Sequence, residues 1–236
     1  MGRAFEFRKE RKFKRWGNMS KVFTRLGREI TMAAKTGGAD PNSNAKLRLL
    51  IQNARSENMP KDNVERAIKR AFEKDTSDYK EVIFEGYAPH GVAVVIEAAT
   101  DNNQRTVANI RSYFNKFNGT LGTQGMLDFI FERKCRFTVG KKENVNLEEL
   151  ELELIDFDAD EIFEEDDTIL IYADFQSFGP LQKHLEENNF EIKEFKFERI
   201  PNDMKTLSDD QKAEVEKLLD RIEEDDDVTN VYHNMM

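Results

Sequence analysis

The chain has 236 residues, 35% of them charged, and a formal net charge of −10; its mean hydropathy is −0.71. That length fits one large domain or two to three small ones, and the charge content leaves a thin core, so small domains are expected. A single cysteine, Cys135, excludes an intramolecular disulfide and suits a reducing compartment. No apolar run approaches the ~20 residues of a membrane span, and no apolar stretch marks a signal peptide at the N-terminus. The Arg-rich start resembles a mitochondrial presequence, but Glu6 and Glu10 interrupt it. The expectation is a cytoplasmic protein without a membrane partner.

The charge is sorted by position. Through Lys74 there are 19 Lys/Arg against 8 Asp/Glu, a net of +11; the rest carries 17 against 38, a net of −21. Opposite blocks of this size suggest that one end meets a polyanion while the other keeps the molecule dispersed. Counterion release makes nucleic acid the commonest such polyanion. The alternative is that head and body neutralise each other.

Residues 1–18 stack Arg8, Lys9, Arg11, Lys12, Lys14 and Arg15 among Phe5, Phe7, Phe13 and Trp16. Basic residues interleaved with rings can neutralise phosphates while the rings stack on bases; the same rings could instead dock on the body. Three helices follow. Ser20 can cap the first, to about Lys35, with Val22, Phe23, Leu26, Ile30 and Ala33 inward. Its Lys21, Arg25, Arg28 and Lys35 fall on one face, read as exposed. Gly37-Gly38 ends it. Asp40-Pro41 or Asn44 opens the second, with Leu47, Leu50, Ile51 and Ala54 inward and Arg48 and Arg55 outward. Met59-Pro60 precedes the third, Lys61 to about Phe72, which buries Val64, Ala67, Ile68 and Phe72 and exposes Lys61, Arg66, Lys69 and Arg70.

After residues 73–78 the period switches from 3.6 to 2. Val82 to Phe84 and Val92 to Ala99 read as strands around a Gly86/Pro89/Gly91 turn. Asp101 with Gln104 forms a capping box for a helix burying Val107, Ile110, Phe114 and Phe117, and Asn118-Gly119 ends it. Leu127 to Phe131 reads as another strand. Residues 136–198 then run strand, helix, strand, strand, helix, strand, the ferredoxin-like order. Pro180 must lie in the first turn of the second of these helices, and Pro201 marks an exit. A last helix starts at Ser208, boxed by Gln211, and buries Val215, Leu218, Leu219 and Ile222 before a strand from Val228 to Tyr232. That helix and strand cannot stand alone. The expected organisation is therefore a basic helical domain (1–75), an α/β domain from 76–134 plus 200–236, and an inserted βαββαβ domain (135–199). The fold class is α+β, with two ferredoxin-like α/β domains after a three-helix domain, one inserted in the other.

The runs FTRLGREITMAAKTGGADPNSNAKLRLLIQNARSENMPKDNVERAIKR, FEGYAPHG, TDNNQRTVANIR and DVTNVYHN closely resemble the YebC/PmpR family. The likeness extends over nearly the whole chain from Ser20. It implies a helical N-terminal domain and two α/β domains, and a bacterial, cytoplasmic, probable transcriptional regulator that binds DNA. Relatives that include a mitochondrial translational activator imply a second role on the ribosome, relieving stalling at proline-rich stretches. Family members usually open with a Gly-His-Ser-Lys-Trp-like stretch. Here GRAFEFRKERKFKRW replaces it, so those contacts carry over only as charge. The Gly-rich turn after Gly86-Tyr87 becomes Ala88-Pro89-His90-Gly91, and TDNNQRT keeps Asp101, Asn102, Arg105 and Thr106.

Other chemistry finds little support. His90, His184 and His233 lack neighbouring Cys or His, as a metal site would require. Asp156, Asp158 and Asp160 begin like a calcium loop, but Glu161 stands where Gly is needed and Asp167 where Glu is needed. Gly119, Gly122 and Gly125 match neither phosphate-loop pattern, and no nucleophile elbow occurs. No enzyme, cofactor, metal or obligatory small molecule is expected. The partner is nucleic acid, DNA or ribosomal RNA, with the ribosome as the alternative assembly; a weaker option is an adaptor role for the acidic runs 148–153, 164–167 and 223–227. Phosphate contacts position a protein without reading sequence, so charge does not choose between the polymers.

Overall fold

The structure is a computed structural model, and it describes residues 19–73, 79–142 and 145–236. Among the described residues three helices come first: α1 (Met19–Gly37), α2 (Ala45–Ser56) and α3 (Lys61–Arg70). Ser20 lies within α1 and not ahead of it, so it is not the cap. The second helix is opened by Asn44, whose side chain accepts from the Leu47 backbone N–H. Phe72, expected in the core, is 57% exposed. Helix α3 stops at Arg70, which leaves Phe72 past its last turn and off its apolar face.

Two four-stranded antiparallel sheets follow, giving an α+β fold. The first contains β1 (Lys80–Ala88), β2 (Val92–Thr100), β3 (Thr120–Leu121) and β8 (Val228–His233) in the order β3-β1-β2-β8. Helices α4 (Asn103–Lys116) and α7 (Asp209–Glu223) cover one face. The second contains β4 (Phe131–Gly140), β5 (Ala159–Glu165), β6 (Thr168–Asp174) and β7 (Ile192–Pro201), ordered β5-β6-β4-β7, with α5 (Leu147–Leu154) and α6 (Phe178–Glu187) between its strands in sequence. Counted in its own chain order this sheet runs 2-3-1-4, the ferredoxin-like arrangement.

Two local readings change. Asn102, not Asp101, caps α4: its side chain accepts from the Arg105 backbone N–H. Residues 124–130 are turns, where a strand had been expected at Leu127–Phe131. The apolar run there fills a gap between the sheets, and the ladder starts only at Phe131. At Ser208 the capping box with Gln211 forms as expected.

Period-2 alternation explains the packing. Along β6, Ile169, Ile171 and Ala173 face one core with α5, α6 and the three N-terminal helices. Leu170 and Tyr172 point the other way and meet Ala93, Val95 and Tyr232 of the first sheet. Both faces of β2 are likewise buried, since Val92, Val94, Ile96 and Ala98 pack under α4 and α7. The two sheets therefore share a small core, and the helical unit is seated on the second sheet. Asn53 fixes that seating: its amide donates to the Phe195 carbonyl at 2.7 Å and its oxygen accepts from the Phe195 N–H at 3.0 Å.

Candidate nucleic-acid interface

Arg8, Lys9, Arg11, Lys12, Lys14 and Arg15 lie outside the described residues. The remaining basic residues separate into those turned toward the body and those left at the surface. Arg28 belongs to the first group, with a side chain only 14% exposed. Its guanidinium donates to Asp227 at 3.1 Å and to the Ala99 carbonyl at 2.8 Å. Lys21 and Arg25 are half-buried, so the face of α1 expected to be exposed turns in against the body. Burial pushes the neighbouring Glu29 carboxyl above its ordinary value, opposed by the charges of Arg25, Lys46 and Lys196. Arg48 is at the surface but reaches Glu186 of α6 at 3.0 Å.

Asp227 is the centre of this join. Its side chain is 6% exposed. One carboxylate oxygen accepts from Arg28; the other accepts from Arg105 at 2.7 Å, Thr106 at 2.7 Å and Thr100 at 3.1 Å. Burial alone would raise this carboxyl, but the hydrogen bonds from Arg105, Thr106 and Thr100 hold it below its ordinary value. Arg105 also meets Asp101 at 3.0 Å. Three stretches quoted for the family resemblance, around Arg28, Arg105 and Asp227, thus meet at one buried carboxylate. Sequence reading placed Arg28 on a ligand-facing surface and counted Asp227 only as part of the acidic run 223–227. The signal that could have found it is the last Asp of an acidic run, set directly before the β-branched start of a strand in a motif shared with the family.

The second group carries the open surface. Lys35, Lys61, Arg66, Lys69 and Arg70 are exposed, as is Arg55. Lys61 is 87% exposed and only 3.3 Å from Glu65, an i,i+4 pair of little energetic weight. Arg66 contacts the Asp62 carbonyl and Asn63. Arg70 and Arg28 both approach the Tyr79 ring, 5.7 and 5.1 Å from its centroid. These cations border α3 and the C-terminal end of α1.

A separate feature projects from the first sheet. The 124–130 turns are organised by Glu85, a buried carboxylate that accepts from the Gly125 and Leu127 N–H groups at 2.8 and 2.7 Å. Gly125 has φ +86, a conformation that costs glycine little. Phe129 stands 74% exposed on this loop.

Among the described residues no group of three or more His, Cys, Asp or Glu is placed to hold a metal ion. His90 pairs with Glu214 at 2.8 Å and His184 with Glu153 at 2.9 Å. Asp158 accepts from Ser177 and Asp160 pairs with Lys134, so the segment that begins like a calcium loop is engaged in local structure. No helix among the described residues is long and apolar enough to cross a membrane.

Comparison with known proteins agrees over the full length. Residues 3–74 match the model described as the TACO1/YebC protein N-terminal domain, and residues 79–235 that of the TACO1/YebC second and third domain. A protein of Parabacteroides distasonis named "Probable transcriptional regulatory protein" is 60% identical over 235 residues, covering 100% of this chain and 97% of the relative. One of Flavobacterium johnsoniae with the same name is 63% identical, covering 100% and 99%. The crystal structure of a conserved hypothetical protein from Aquifex aeolicus superposes with a TM-score of 0.77 at 36% identity, covering 94% of this chain and 91% of that one.

Proposed function

The chain belongs to the TACO1/YebC family, and from that premise we propose that it is a non-enzymatic regulatory factor of gene expression that holds nucleic acid through its helical unit. The observation that carries this is the outward set Lys35, Lys61, Arg66, Lys69 and Arg70, concentrated on one small unit of a chain that is otherwise strongly acidic. Such cations bind phosphates, release counterions and give affinity without sequence choice. The names of the relatives support a transcriptional setting, with DNA as the polymer and the cytoplasm as its place.

A second reading makes the polymer ribosomal RNA and the role translational. Its support is Phe129, an aromatic side chain presented on a loop pinned by Glu85. Irregular RNA offers unpaired bases to such a ring, whereas duplex DNA does not. One experiment tests both. Fluorescence anisotropy over a salt series should show Lys61→Glu/Lys69→Glu weakening every polymer alike and flattening the log–log salt slope by roughly 2, since each phosphate contact contributes about 0.9. An unchanged slope refutes the assignment to α3. Duplex specificity below ~100-fold together with co-sedimentation with ribosomes supports the translational reading; a promoter preference of ~10³ without ribosome binding supports the transcriptional one.

A further inference from the structure

Helices α4 and α7 cover the same face of the first sheet, yet they show opposite chemistry to solvent. Helix α7 exposes Asp209, Asp210, Glu214, Asp220 and Glu223 beside one exposed cation, Lys217. Helix α4 exposes no carboxylate; its outward side chains include Gln104, Arg111, Ser112, Asn115 and Lys116. The contrast begins in the sequence. No Asp or Glu occurs from Asn102 to Leu127, the longest such stretch in the chain, although the residues after Lys74 carry a net −21. Carboxylates elsewhere on this body repel a polyanion, and a face without them leaves a local opening for one.

Arg111 follows Ala108 by three residues and precedes Asn115 by four, so the three share one stripe, with Ser112 and Lys116 on the stripe beside it. Arg105 is held by Asp101 and Asp227 and adds nothing to this surface. Arg111 is exposed and makes no ion pair with a described residue. Lys116 is exposed as well, its ammonium 5.5 Å from the ring centroid of its own neighbour Phe117. On the flank toward α7, Asp225 accepts from Asn109 at 3.1 Å and from Tyr113 at 2.9 Å. Beyond the helix, Asn118 turns the chain with φ 57, and the Gly119 N–H donates to the Phe114 carbonyl at 2.8 Å. The chain then forms β3, the edge strand of the sheet, and enters the loop pinned by Glu85, where Thr123, Gln124 and Phe129 are exposed. Asp128, exposed beside the ring, is the first carboxylate after the strip and disfavours a phosphate there, so the ring suits a base.

We propose that the outer face of α4 and the β3–β4 loop form a second contact surface, for RNA with unpaired nucleotides. Arg111 and Lys116 take the sugar-phosphate backbone, Asn115 and Gln124 meet base edges, and Phe129 stacks on a base. Two cations give little charge-driven affinity; amides and a ring recognise splayed bases by hydrogen bonding and stacking. Duplex DNA fits poorly, because a helix in its major groove has a phosphate backbone on both flanks and one flank of α4 is the acidic α7. The inference rests on the translational reading through Phe129 and extends it: the helical unit supplies affinity for any polymer, and α4 with its loop supplies the choice among them.

The test uses the full chain and fluorescence anisotropy with three probes: an RNA hairpin with an unpaired loop, its stem as a blunt RNA duplex, and a DNA duplex of the stem sequence. The hairpin should bind at least about fivefold tighter than either duplex, the low end for one base stacked on an aromatic side chain. Lys61→Glu/Lys69→Glu should weaken all three probes together and leave that ratio standing. Arg111→Glu/Lys116→Glu and, separately, Phe129→Ala should bring the ratio toward one with an unchanged melt, whereas Lys212→Glu/Lys217→Glu, the same charge change on α7, should keep it. A 4-thiouridine in the hairpin loop should crosslink within residues 104–129 of the unsubstituted chain. A ratio near one in that chain, a ratio that survives Arg111→Glu/Lys116→Glu, or crosslinks confined to 19–73 overturns the proposal. Loss of binding from the α3 substitutions alone defeats the α4 surface and keeps the helical unit; loss of the ratio from the α4 substitutions alone does the reverse.

Discussion

Replacing Asp227 with asparagine should separate the helical unit from the sheets energetically without adding bulk. The carboxylate is buried and accepts four side-chain hydrogen bonds, two of them from arginines. An asparagine keeps the shape but loses the charge and turns one acceptor into a donor facing Arg28 or the Thr100, Thr106 and Arg105 cluster. Breaking a buried ion pair by removing one partner costs about 3–5 kcal/mol. Arg105 is about half exposed and can rehydrate, so the lower end, about 3 kcal/mol, applies here. For a chain of this size that lowers Tm by roughly 6–12 °C. Differential scanning calorimetry at pH 7 measures it, and Arg28→Ala should cost more than Arg105→Ala because Arg28 is the more buried of the two. The pH dependence follows from the lowered carboxyl. Its folded value lies below the unfolded one, so its stabilisation is fully present above the ordinary carboxylate value and is lost as pH falls through the folded value. The gap between wild type and Asp227→Asn should therefore stay constant from pH 8 to about 5 and close below about 4. A Tm change under about 2 °C at pH 7, or a gap that widens in acid, refutes the reasoning.

Asn53→Ala strips the partner from the Phe195 N–H and carbonyl together, and each buried orphan costs about 1–3 kcal/mol, so chemical denaturation should show a loss of roughly 2–6 kcal/mol. Burial pushes the Cys135 thiol up to about 12, so alkylation at pH 8 should proceed only after unfolding, and rapid labelling of the native protein would contradict its placement. We also propose that the second sheet, 131–201, is inserted within the unit formed by the first sheet and its helices. That fragment, expressed alone, should give a dispersed heteronuclear NMR spectrum, with Phe195 and its neighbours shifted because α2 no longer covers them; a collapsed spectrum would show that the segment depends on its host.

Most elements were legible because each carries a local cause. The βαββαβ order from Arg136 could be read from alternation and helical spacing alone, and Ser208 with Gln211 announced α7 by its capping chemistry. What failed needed knowledge of distant partners. Leu127 to Phe131 has a strand's composition, yet a buried carboxylate 40 residues earlier, Glu85, takes up the backbone N–H groups at Gly125 and Leu127 and holds the segment as turns. Asp101 and Asn102 both offer cap chemistry; the position of Asp227 draws Arg105 toward itself and Asp101, leaving Asn102 to cap.

The same distinction governs the basic face of α1. Helical spacing correctly groups Lys21, Arg25, Arg28 and Lys35 by azimuth, but azimuth does not say whether the facing surface is solvent or protein. Here it changes along the helix. Lys21 and Arg25 are half-buried, Arg28 is sequestered by Asp227, and Lys35, near the C-terminal end, is exposed. Head and body therefore do neutralise each other, over one part of the head, through Arg28 and Arg48, while Lys61, Arg66 and Lys69 of α3 stay exposed. A net of +11 in the sequence overstates the field available to a ligand, because part of it is already held by the acidic body. A polyanion held by the helical unit must bind where that body does not reach, which is why Lys61 and Lys69, and not Arg25 and Arg28, are the positions at which charge reversal should weaken binding while leaving the fold intact.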